Sequence, residues 1–298
     1  MNLKVGVVQK VILTGLVIGL AVTGMQAAEK PGKVQIIKAS GDVVAIRQSD
    51  HKSAPAKTGD IVQEGSTIKT GKDSTAVLLF GNGSAITVKP ESSFSVDVFQ
   101  QDPFDAANTN YKDLQAEPSK SKTKVTVSNG EIVGDMRKLN KGSSWDFNTP
   151  LGVAGIRGTK VYIKVTKDSN GKVTVHVSAA EGLVVVTTKS GQTYQVAKGE
   201  EITLSYNEAT PNDVTASTSK LTPEQQAEIE QTADQSVELI PGQPFTPPAD
   251  TGLDAIGTGD QGVGTVGTQI GGSGGGGGNG GSNPTPTPSP AVSPNPGS

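Results

Sequence analysis

The sequence predicts a mainly β protein, and two observations carry that prediction. Short runs of β-branched residues recur between about residues 34 and 204, and Gly, Asn, Asp and Ser turn signals separate them. Within several runs apolar and polar residues alternate, as they do at Val173, Val175 and Val177, which predicts strands with one buried and one wet face. This patterning stops near residue 205, so we assign the β domain to residues 32–205.

The first half of the domain contains the clearest hairpin signal. Asn82-Gly83 supplies the positive φ of a tight turn, so residues 77–80 and 86–88 are predicted to be antiparallel neighbours. The predicted strands here are 34–37, 42–46, 66–69, 76–80, 84–88 and 94–98.

A polar insertion over about residues 100–123 interrupts the strand pattern. It shows no strand period, and we interpret it as an inserted loop, partly helical at most. Lys120, Lys122 and Lys124 occupy every second position, so in a strand they would share one face. A solvated loop is the favoured interpretation, and a contact with an acidic partner is the alternative.

Strand patterning resumes after the insertion at close to the spacing of all-β folds. Asn129-Gly130, Asn170-Gly171, Ser190-Gly191 and Lys198-Gly199 are predicted to be turns between strands. The predicted strands are 124–127, 131–136, 144–147, 161–165, 173–177, 183–187, 193–196 and 201–204.

Residues 149–159 (TPLGVAGIRGT) form the most distinctive motif, with glycines at positions 152, 155 and 158. A phosphate-binding loop is not predicted, because Val153 stands five residues before Gly158, where that loop needs glycine, and a strand rather than a helix follows. We interpret the motif as a sharp turn into a strand. We assign structural roles to five of its residues, with partner binding as the alternative: Gly152, Gly155, Arg157, Gly158 and Thr159.

Arg157 and Trp145 are the two side chains near this motif with a candidate binding role. The guanidinium of Arg157 is expected to turn inward and bond free carbonyls, and the alternative is an anchor for an anionic partner. Trp145 and Phe147 are at strand spacing on one face, which predicts the core. The alternative for Trp145 is a carbohydrate-stacking platform, so it is a candidate partner-binding residue.

Composition excludes several function classes. The chain has no cysteine, so it has neither disulfides nor thiolate metal sites. Its net charge is −3 with both signs interspersed, so the sequence contains no basic patch of the kind that binds nucleic acid. His51 and His176 are its only histidines, and both are expected to be exposed and idle. We therefore assign no catalytic, cofactor-binding or metal-ligating residue and predict that the protein is not an enzyme.

The N-terminus predicts export. Lys4 and Lys10 precede the apolar residues 11–24, which as a helix would span about 21 Å, short of the roughly 30 Å hydrocarbon core. Residues 1–28 are therefore predicted to be a cleaved signal peptide, although Gln26 is a poor cleavage-site residue. An uncleaved anchor, the one case in which we expect membrane contact, is the alternative. Either interpretation predicts a periplasmic or secreted location.

The C-terminal part changes character twice. Thr222-Pro-Glu-Gln225 is a capping box that predicts a helix over residues 221–240, whose apolar residues are too sparse to anchor a core. We therefore expect this helix to be loosely docked or isolated. Residues 241–298 are rich in Gly and Pro, and we predict a disordered tail.

Three segments resemble the FecR domain. They are residues 59–84 (GDIVQEGSTIKTGKDSTAVLLFGNGS), residues 129–159, which include NGE, KGSSWDFNTP and AGIRGT, and residues 180–200, which include AEGLVVV and AKGE. They occur in the family's order and cover about residues 40–205. The resemblance implies a solenoid-like or sandwich-like β domain with short hairpins outside the cytoplasm, with no cofactor.

The resemblance says less about activity than about fold. Regulatory members of this family carry a cytoplasmic anti-sigma segment and a membrane span before the domain, whereas ten residues precede the apolar stretch here. Direct control of a sigma factor is therefore not expected. We predict a non-enzymatic binding or scaffold module that senses an envelope ligand or partner, either a protein or a glycan. The alternatives are a sigma-factor pathway component that acts through a separate transmembrane partner, and a carbohydrate-binding surface protein.

Overall fold

The described part of the protein is mainly β, with seventeen strands and one α-helix. The computed structural model describes residues 30–242, 244 and 245, with the backbone alone at 211 and 212. The predicted signal peptide and residues 243 and 246–298 of the predicted tail lie outside the described residues. The first strands are β1 (Val34–Ser40), β2 (Val43–Arg47), β3 (Ser53–Pro55), β4 (Ile61–Val62), β5 (Ser66–Thr70), β6 (Thr75–Phe80), β7 (Ala85–Val88) and β8 (Ser93–Gln101).

The remaining strands follow the polar insertion, in which residues 111–113 form one turn of 3-10 helix. They are β9 (Ser121–Met136), β10 (Ser144–Thr149), β11 (Gly152–Ile156), β12 (Thr159–Lys167), β13 (Lys172–Ala179), β14 (Leu183–Thr188), β15 (Thr193–Ala197), β16 (Glu200–Asn207) and β17 (Thr210–Lys220). Helix α1 (Pro223–Glu238) follows β17, and Thr222 caps it with the predicted capping box.

The strands form one hydrogen-bonded network that the long strand β9 divides into two sheets. Sheet A has the order β3-β2-β5-β8-β9-β10-β11-β14-β15. Sheet B has the order β4-β1-β6-β7-β9-β12-β13-β16-β17. Residues 121–129 of β9 pair in sheet A and residues 130–136 in sheet B. The strand pairs are antiparallel except β9 with β10.

After β9, successive hairpins alternate between the two sheets. The β10–β11 and β14–β15 hairpins belong to sheet A, and the β12–β13 and β16–β17 hairpins belong to sheet B. Buried residues of both sheets, such as Ile68 in sheet A and Ile36 in sheet B, belong to one continuous core cluster. The chain is therefore a β sandwich whose second half winds from sheet to sheet like a solenoid. The predicted mainly β fold is confirmed.

Several local predictions are confirmed by the strand register. The hairpin around Asn82-Gly83 joins β6 to β7, with Leu79 opposite Ala85 and Gly83 at φ 86°. Val173, Val175 and Val177 are buried, and the residues between them are not. Trp145 and Phe147 both face the core.

Other local predictions are wrong. Asn129-Gly130 is not a turn between two strands but the point where β9 passes from sheet A to sheet B, and Gly130 supplies the positive φ of 84° for that change. Residues 152–156 are strand β11 rather than part of a turn, because their backbone pairs with β10 and β14. Strands β3, β4 and β17 were not predicted.

Helix α1 is docked rather than loose, which corrects the expectation from its sparse apolar residues. Ile229 and Ala233 are buried against Val133 and Ala180 of sheet B, with Tyr162 and Leu221 packed alongside. The helix does not anchor the sandwich core. It covers the outer surface of sheet B, which is why few apolar residues suffice.

Candidate functional site

The outer face of sheet A is the part of the domain that the chain leaves uncovered. On sheet B, α1 packs over strands β7, β9 and β12, and the insertion packs Tyr111 and Leu114 against Leu79 of β6. Glu117 fastens that insertion, since its carboxylate accepts hydrogen bonds from the Asn140 backbone N–H (2.7 Å) and from the hydroxyl of Ser121. Sheet A has no such cover among the described residues.

Most of the outer face of sheet A is polar and self-bonded. One cross-strand row joins seven of its strands, with each residue in register with the next, as far as β15. Its members are Thr67, Ser95, Thr126, Asn148, Val153, Thr187 and Thr193. The Thr67 and Ser95 hydroxyls are 2.8 Å apart, and the Thr126 hydroxyl donates to Asp97 at 2.5 Å. Such a row is typical of a solvated sheet surface.

An apolar patch interrupts this polar face at one end. It consists of Val153, Leu183 and Val185, whose exposed fractions are 37%, 44% and 36%. These are three of the four exposed large hydrophobic residues in the described part of the chain, and the fourth, Leu239, follows α1. Val153 lies on β11, and Leu183 and Val185 lie on β14, its neighbour. A clustered apolar patch on an uncovered sheet face is a candidate contact surface.

The glycine motif next to this patch divides into residues that pack and residues that face outward. A Cβ on Gly152 would lie 2.3 Å from the Thr187 carbonyl oxygen, so that position needs glycine for the close approach of β11 to β14. Gly158 has φ 83° and carries the chain from sheet A to sheet B, while the buried Thr159 donates to the Leu183 carbonyl at 3.3 Å. These residues have evident packing roles.

Gly155 is different, because no backbone contact requires it. It lies on the outward side of β11, its φ is not positive, and an added Cβ would meet only Asp146 Oδ1 at 3.6 Å and the Val185 carbonyl at 3.8 Å. It lies in the lining of an open cleft of about 500 Å³, hereafter the Gly155 cleft. Residues that line this cleft include Ser144, Asp146, Gly155, Arg157, Leu183 and Val185.

Arg157 is at one end of the Gly155 cleft and points to solvent. The expected inward orientation is wrong, because the residue is exposed and its guanidinium makes no hydrogen bond or ion pair with any described residue. Alternation along β11 explains this: Val153, Gly155 and Arg157 share the outward side, whereas Ala154 and Ile156 face the core. The alternative role, an anchor for an anionic group, remains open to this side chain.

Trp145 has no access to a partner in this structure, which corrects its candidacy as a stacking platform. Its exposed fraction is 1%, and its ring packs edge-on against Phe80 with 4.8 Å between ring centroids. Because Trp145 points into the sandwich, its neighbours Ser144 and Asp146 point out, into the Gly155 cleft. A glycan platform would need an exposed ring, and the exposed large hydrophobic residues of the described chain are all aliphatic.

Charges around the cleft leave one positive group without a partner. Asp146 is opposite Lys124 on β9 and opposite Gly155 on β11. Burial raises the pKa of the Asp146 carboxyl, and the nearby Lys124 ammonium partly offsets that rise. The loop predicted up to about residue 123 ends earlier, because β9 begins at Ser121 and places Lys122 and Lys124 on one exposed face. This face is the one that carries the cleft. Arg157 is thus the unpaired charge beside the apolar patch.

Two other clefts are lined in part by side chains that form ion pairs with one another. The first, about 240 Å³, lies under α1, where Glu131 accepts from Lys164 (2.7 Å) and Lys89 binds Glu228 (3.1 Å). The second, about 530 Å³, lies near the end of α1, where Lys160 binds Asp234 at 2.7 Å. Both clefts are seams between the helix and sheet B. They therefore fit a packing role better than a binding role.

A hydrogen-bonded group on β13 and β16 includes His176. The expectation that His176 is exposed and idle is wrong: it is half-buried, and its Nδ1 lies 3.1 Å from Glu201 Oε1. The buried Ser178 hydroxyl donates to the other Glu201 oxygen at 2.8 Å. The hydrogen bond from His176 lowers the pKa of Glu201, against burial, so this carboxylate is a weak base for activating Ser178. His51 is exposed in a turn, as predicted.

Two classes of site are not found in the described part of the chain. No group of three or more His, Asp or Glu side chains is placed there to share a metal ion. Nor does any helix within residues 30–242 combine the length and hydrophobicity needed to cross a bilayer.

Comparison with known protein families identifies the domain that carries the cleft. Residues 66–185 match the family described as FecR protein. The chain carries a FecR domain. The resemblance stated from the sequence is therefore confirmed, over a narrower range than residues 40–205. The FecR domain runs from β5 to Val185 in β14, so it contains every lining residue of the Gly155 cleft, while β1–β4 and β15–β17 extend the sandwich on either side.

Solved structures similar to this FecR domain are distant. Two crystal structures of a proposed anti-sigma factor from Parabacteroides distasonis match with identities of 11% and 10% and TM-scores of 0.38 and 0.37. Each match covers 53% of this chain and 61% of the other, so it spans about three-fifths of that protein. No curated protein matches the chain at the significance threshold.

Sequence reasoning missed the apolar patch and the Gly155 cleft. Val153, Leu183 and Val185 are unremarkable in β-rich sequence, and their exposure depends on which sheet face the helix covers. One signal was available: glycine is unfavourable in a strand interior unless something approaches closely or space is needed. Once residues 152–156 are taken as a strand, the outward Gly155 is the anomaly that marks the cleft.

Proposed function

We propose that this protein is a non-enzymatic binding module that works outside the cytoplasm and engages a partner through the outer face of sheet A. One observation carries the proposal: the apolar patch of Val153, Leu183 and Val185 lies on the uncovered face, beside the unpaired Arg157. On sheet B the chain covers comparable apolar surface with its own helix. An apolar patch left open beside a charged rim is typical of an interaction surface.

The extracytoplasmic location rests on the predicted signal peptide, residues 1–28. The chain's cysteine-free composition suits either a reducing or an oxidising compartment, so it places no limit on that location. The FecR match supports the module's class, and it also favours the alternative role in a sigma-factor pathway through a separate transmembrane partner. Trp145 is buried, so the carbohydrate-binding alternative has no support from an exposed stacking ring at this position.

Site-specific photo-crosslinking tests the proposal. A photoreactive residue at Val153 is expected to give discrete crosslinked products in cells that make the protein, because that side chain is at the patch. The matched control is the same residue at Gln231, which is exposed on α1 over sheet B. If Val153 gives no product, or both positions give the same set, the outer face of sheet A is not the binding surface.

A further inference from the structure

The outward row through Gly155 has the shape of a receptor for one side chain. Lys124, Asp146, Gly155, Val185 and Gln195 are in register on five neighbouring strands of sheet A. The row is filled by side chains everywhere except at Gly155. Its absent side chain therefore creates a gap with an aliphatic wall, Val185 and Leu183, on the side of β14.

The chemistry at the ends of this gap limits what it accepts. Arg157, two residues beyond Gly155, carries a guanidinium that no described residue satisfies, whereas the Lys124 ammonium partly offsets the burial of the Asp146 carboxyl. The unpaired charge at the Arg157 end is positive, so an occupant with a carboxylate is favoured at that end. Because the β14 side of the gap is aliphatic, an apolar group rather than a sugar ring is favoured along that side.

The dimensions fit a short peptide segment. The gap reaches from β10 across β11 to β14, two strand spacings or roughly 10 Å. Three residues of an extended chain cover the same length at about 3.3 Å each. The volume of about 500 Å³ falls in the usual range of small binding pockets.

We propose that the Gly155 cleft binds an acidic-aliphatic peptide segment of a partner protein. An aliphatic side chain of that segment occupies the space over Gly155 against Val185 and Leu183, and a neighbouring carboxylate pairs with the Arg157 guanidinium. This inference rests on the proposed function and specifies where on sheet A the partner binds. In the motif at residues 149–159, Gly155 and Arg157 are then recognition residues, while Gly152 and Gly158 serve packing.

Two variants test the cleft without breaking the fold. Gly155→Val fills the gap, and its Cβ has only ordinary van der Waals neighbours at 3.6 and 3.8 Å. Arg157→Ala removes an exposed charge that makes no bond to any described residue. The matched controls are Thr193→Val and Lys189→Ala, exposed residues of the same sheet region that do not line the cleft.

The probe is a random twelve-residue peptide library panned on the immobilised full chain, followed by affinity measurement with an enriched peptide. We expect enriched peptides to place Asp or Glu within two residues of Leu, Ile or Val. Each cleft variant should weaken binding about tenfold or more, Arg157→Ala through the loss of a charge-assisted contact and Gly155→Val by blocking the space over residue 155. The controls should stay within about twofold, and raising the salt concentration should weaken binding to the native chain but not to Arg157→Ala.

Three results would overturn the inference. They are enrichment of peptides without acidic residues, peptide binding that neither cleft variant changes, and binding of vesicles containing anionic phospholipid, but of no peptide, that both variants abolish. The photo-crosslinking from Val153 separates the two proposals. If crosslinks persist at full yield in Gly155→Val and Arg157→Ala, the partner binds sheet A elsewhere and only the cleft assignment fails. If no crosslinks form in the native chain, the proposed function itself fails.

Discussion

The two outer faces of the sandwich are built from the same kind of strands, but one face is covered by other parts of the chain and the other is not. Sheet B presents Val133 and Leu79 outward and buries them under α1 and the insertion. Sheet A presents Val153, Leu183 and Val185 outward and leaves each of them more than a third exposed. Exposed apolar surface adds nothing to hydrophobic stabilisation, so we expect the patch on sheet A to matter less for stability than the covered residues of sheet B. Changes on the covered face should therefore affect stability, and changes on the bare face should affect binding alone.

The largest effect is expected where the cover meets sheet B. Ala233 of α1 is fully buried against the sheet, so Ala233→Arg places a charge in an apolar contact. We expect the free energy of unfolding to fall by about 3 kcal/mol, the usual cost of an uncompensated buried charge. Chemical denaturation measures it, with Gln231→Arg on the exposed side of the same helix as the control. Equal stability of the two variants would mean that the helix does not protect sheet B.

The second effect compares two glycines of one motif. Gly152→Ala brings a Cβ within 2.3 Å of the Thr187 carbonyl oxygen, so β11 and β14 must separate. The expected loss is about 1–3 kcal/mol, as for other overpacked sites. Gly155→Ala, three residues along the same strand, should change stability by no more than about 0.5 kcal/mol. Thermal unfolding of both variants checks the difference, and similar losses would contradict the division of the motif into packing and outward residues.

The sequence predicts the β fold better than it predicts which residues of the glycine motif pack and which face outward. Alternation at Val173, Val175 and Val177, and the turn at Asn82-Gly83, are local signals that survive in the structure. Strand β11 was missed because Gly152 and Gly155 lower strand propensity and are as common in turns. Strand β17 was missed because its Ser, Thr and Asp residues give no alternation. Each of these strands is specified by a neighbouring strand rather than by its own residues.

The candidate site was less predictable than the fold for a related reason. Arg157 could be picked out from the sequence, but its orientation depends on the register of β11, which local patterning does not reveal. Which face α1 covers depends on contacts between residues such as Val133 and Ile229, far apart in the chain. A bare apolar patch is defined by what does not pack on it. That property appears only once the whole domain is assembled.

The third effect is a pH dependence of the covered face. Burial raises the pKa of Glu131, but hydrogen bonding from Lys164 and the charges of Lys164 and Lys89 outweigh it, so the pKa of Glu131 lies below its usual value. A lowered pKa in the folded state gives stability that is present above the unfolded value of 4.5 and is lost as pH falls through the folded value. Glu131→Gln should therefore lower the melting temperature at pH 7, and the gap to the native chain should narrow as the pH falls below 4.5.

Melting curves of both proteins between pH 7 and pH 3 check that prediction. Glu238→Gln, an exposed carboxyl change on α1, is the control, and its difference from the native chain should be small throughout. A gap for Glu131→Gln that is independent of pH would mean that the side chain contributes by packing and not by charge. The ion pairs that Lys89 makes with Glu131 of sheet B and Glu228 of the helix would then contribute little to stability.

The smallest effect is expected on the bare face. Val185→Thr replaces an exposed methyl by a hydroxyl and keeps a β-branched side chain suited to a strand, so the free energy of unfolding should change by no more than about 0.5 kcal/mol. The same change should reduce crosslinking from a photoreactive residue at Val153, because it makes the apolar wall of the Gly155 cleft polar. Thr193→Val, exposed on the neighbouring strand β15 and outside the cleft lining, should leave both quantities unchanged. A stability loss above about 1 kcal/mol in Val185→Thr would mean that the patch supports the fold. The outer face of sheet A would then stabilise the fold as the outer face of sheet B does, and the two faces would not differ in role.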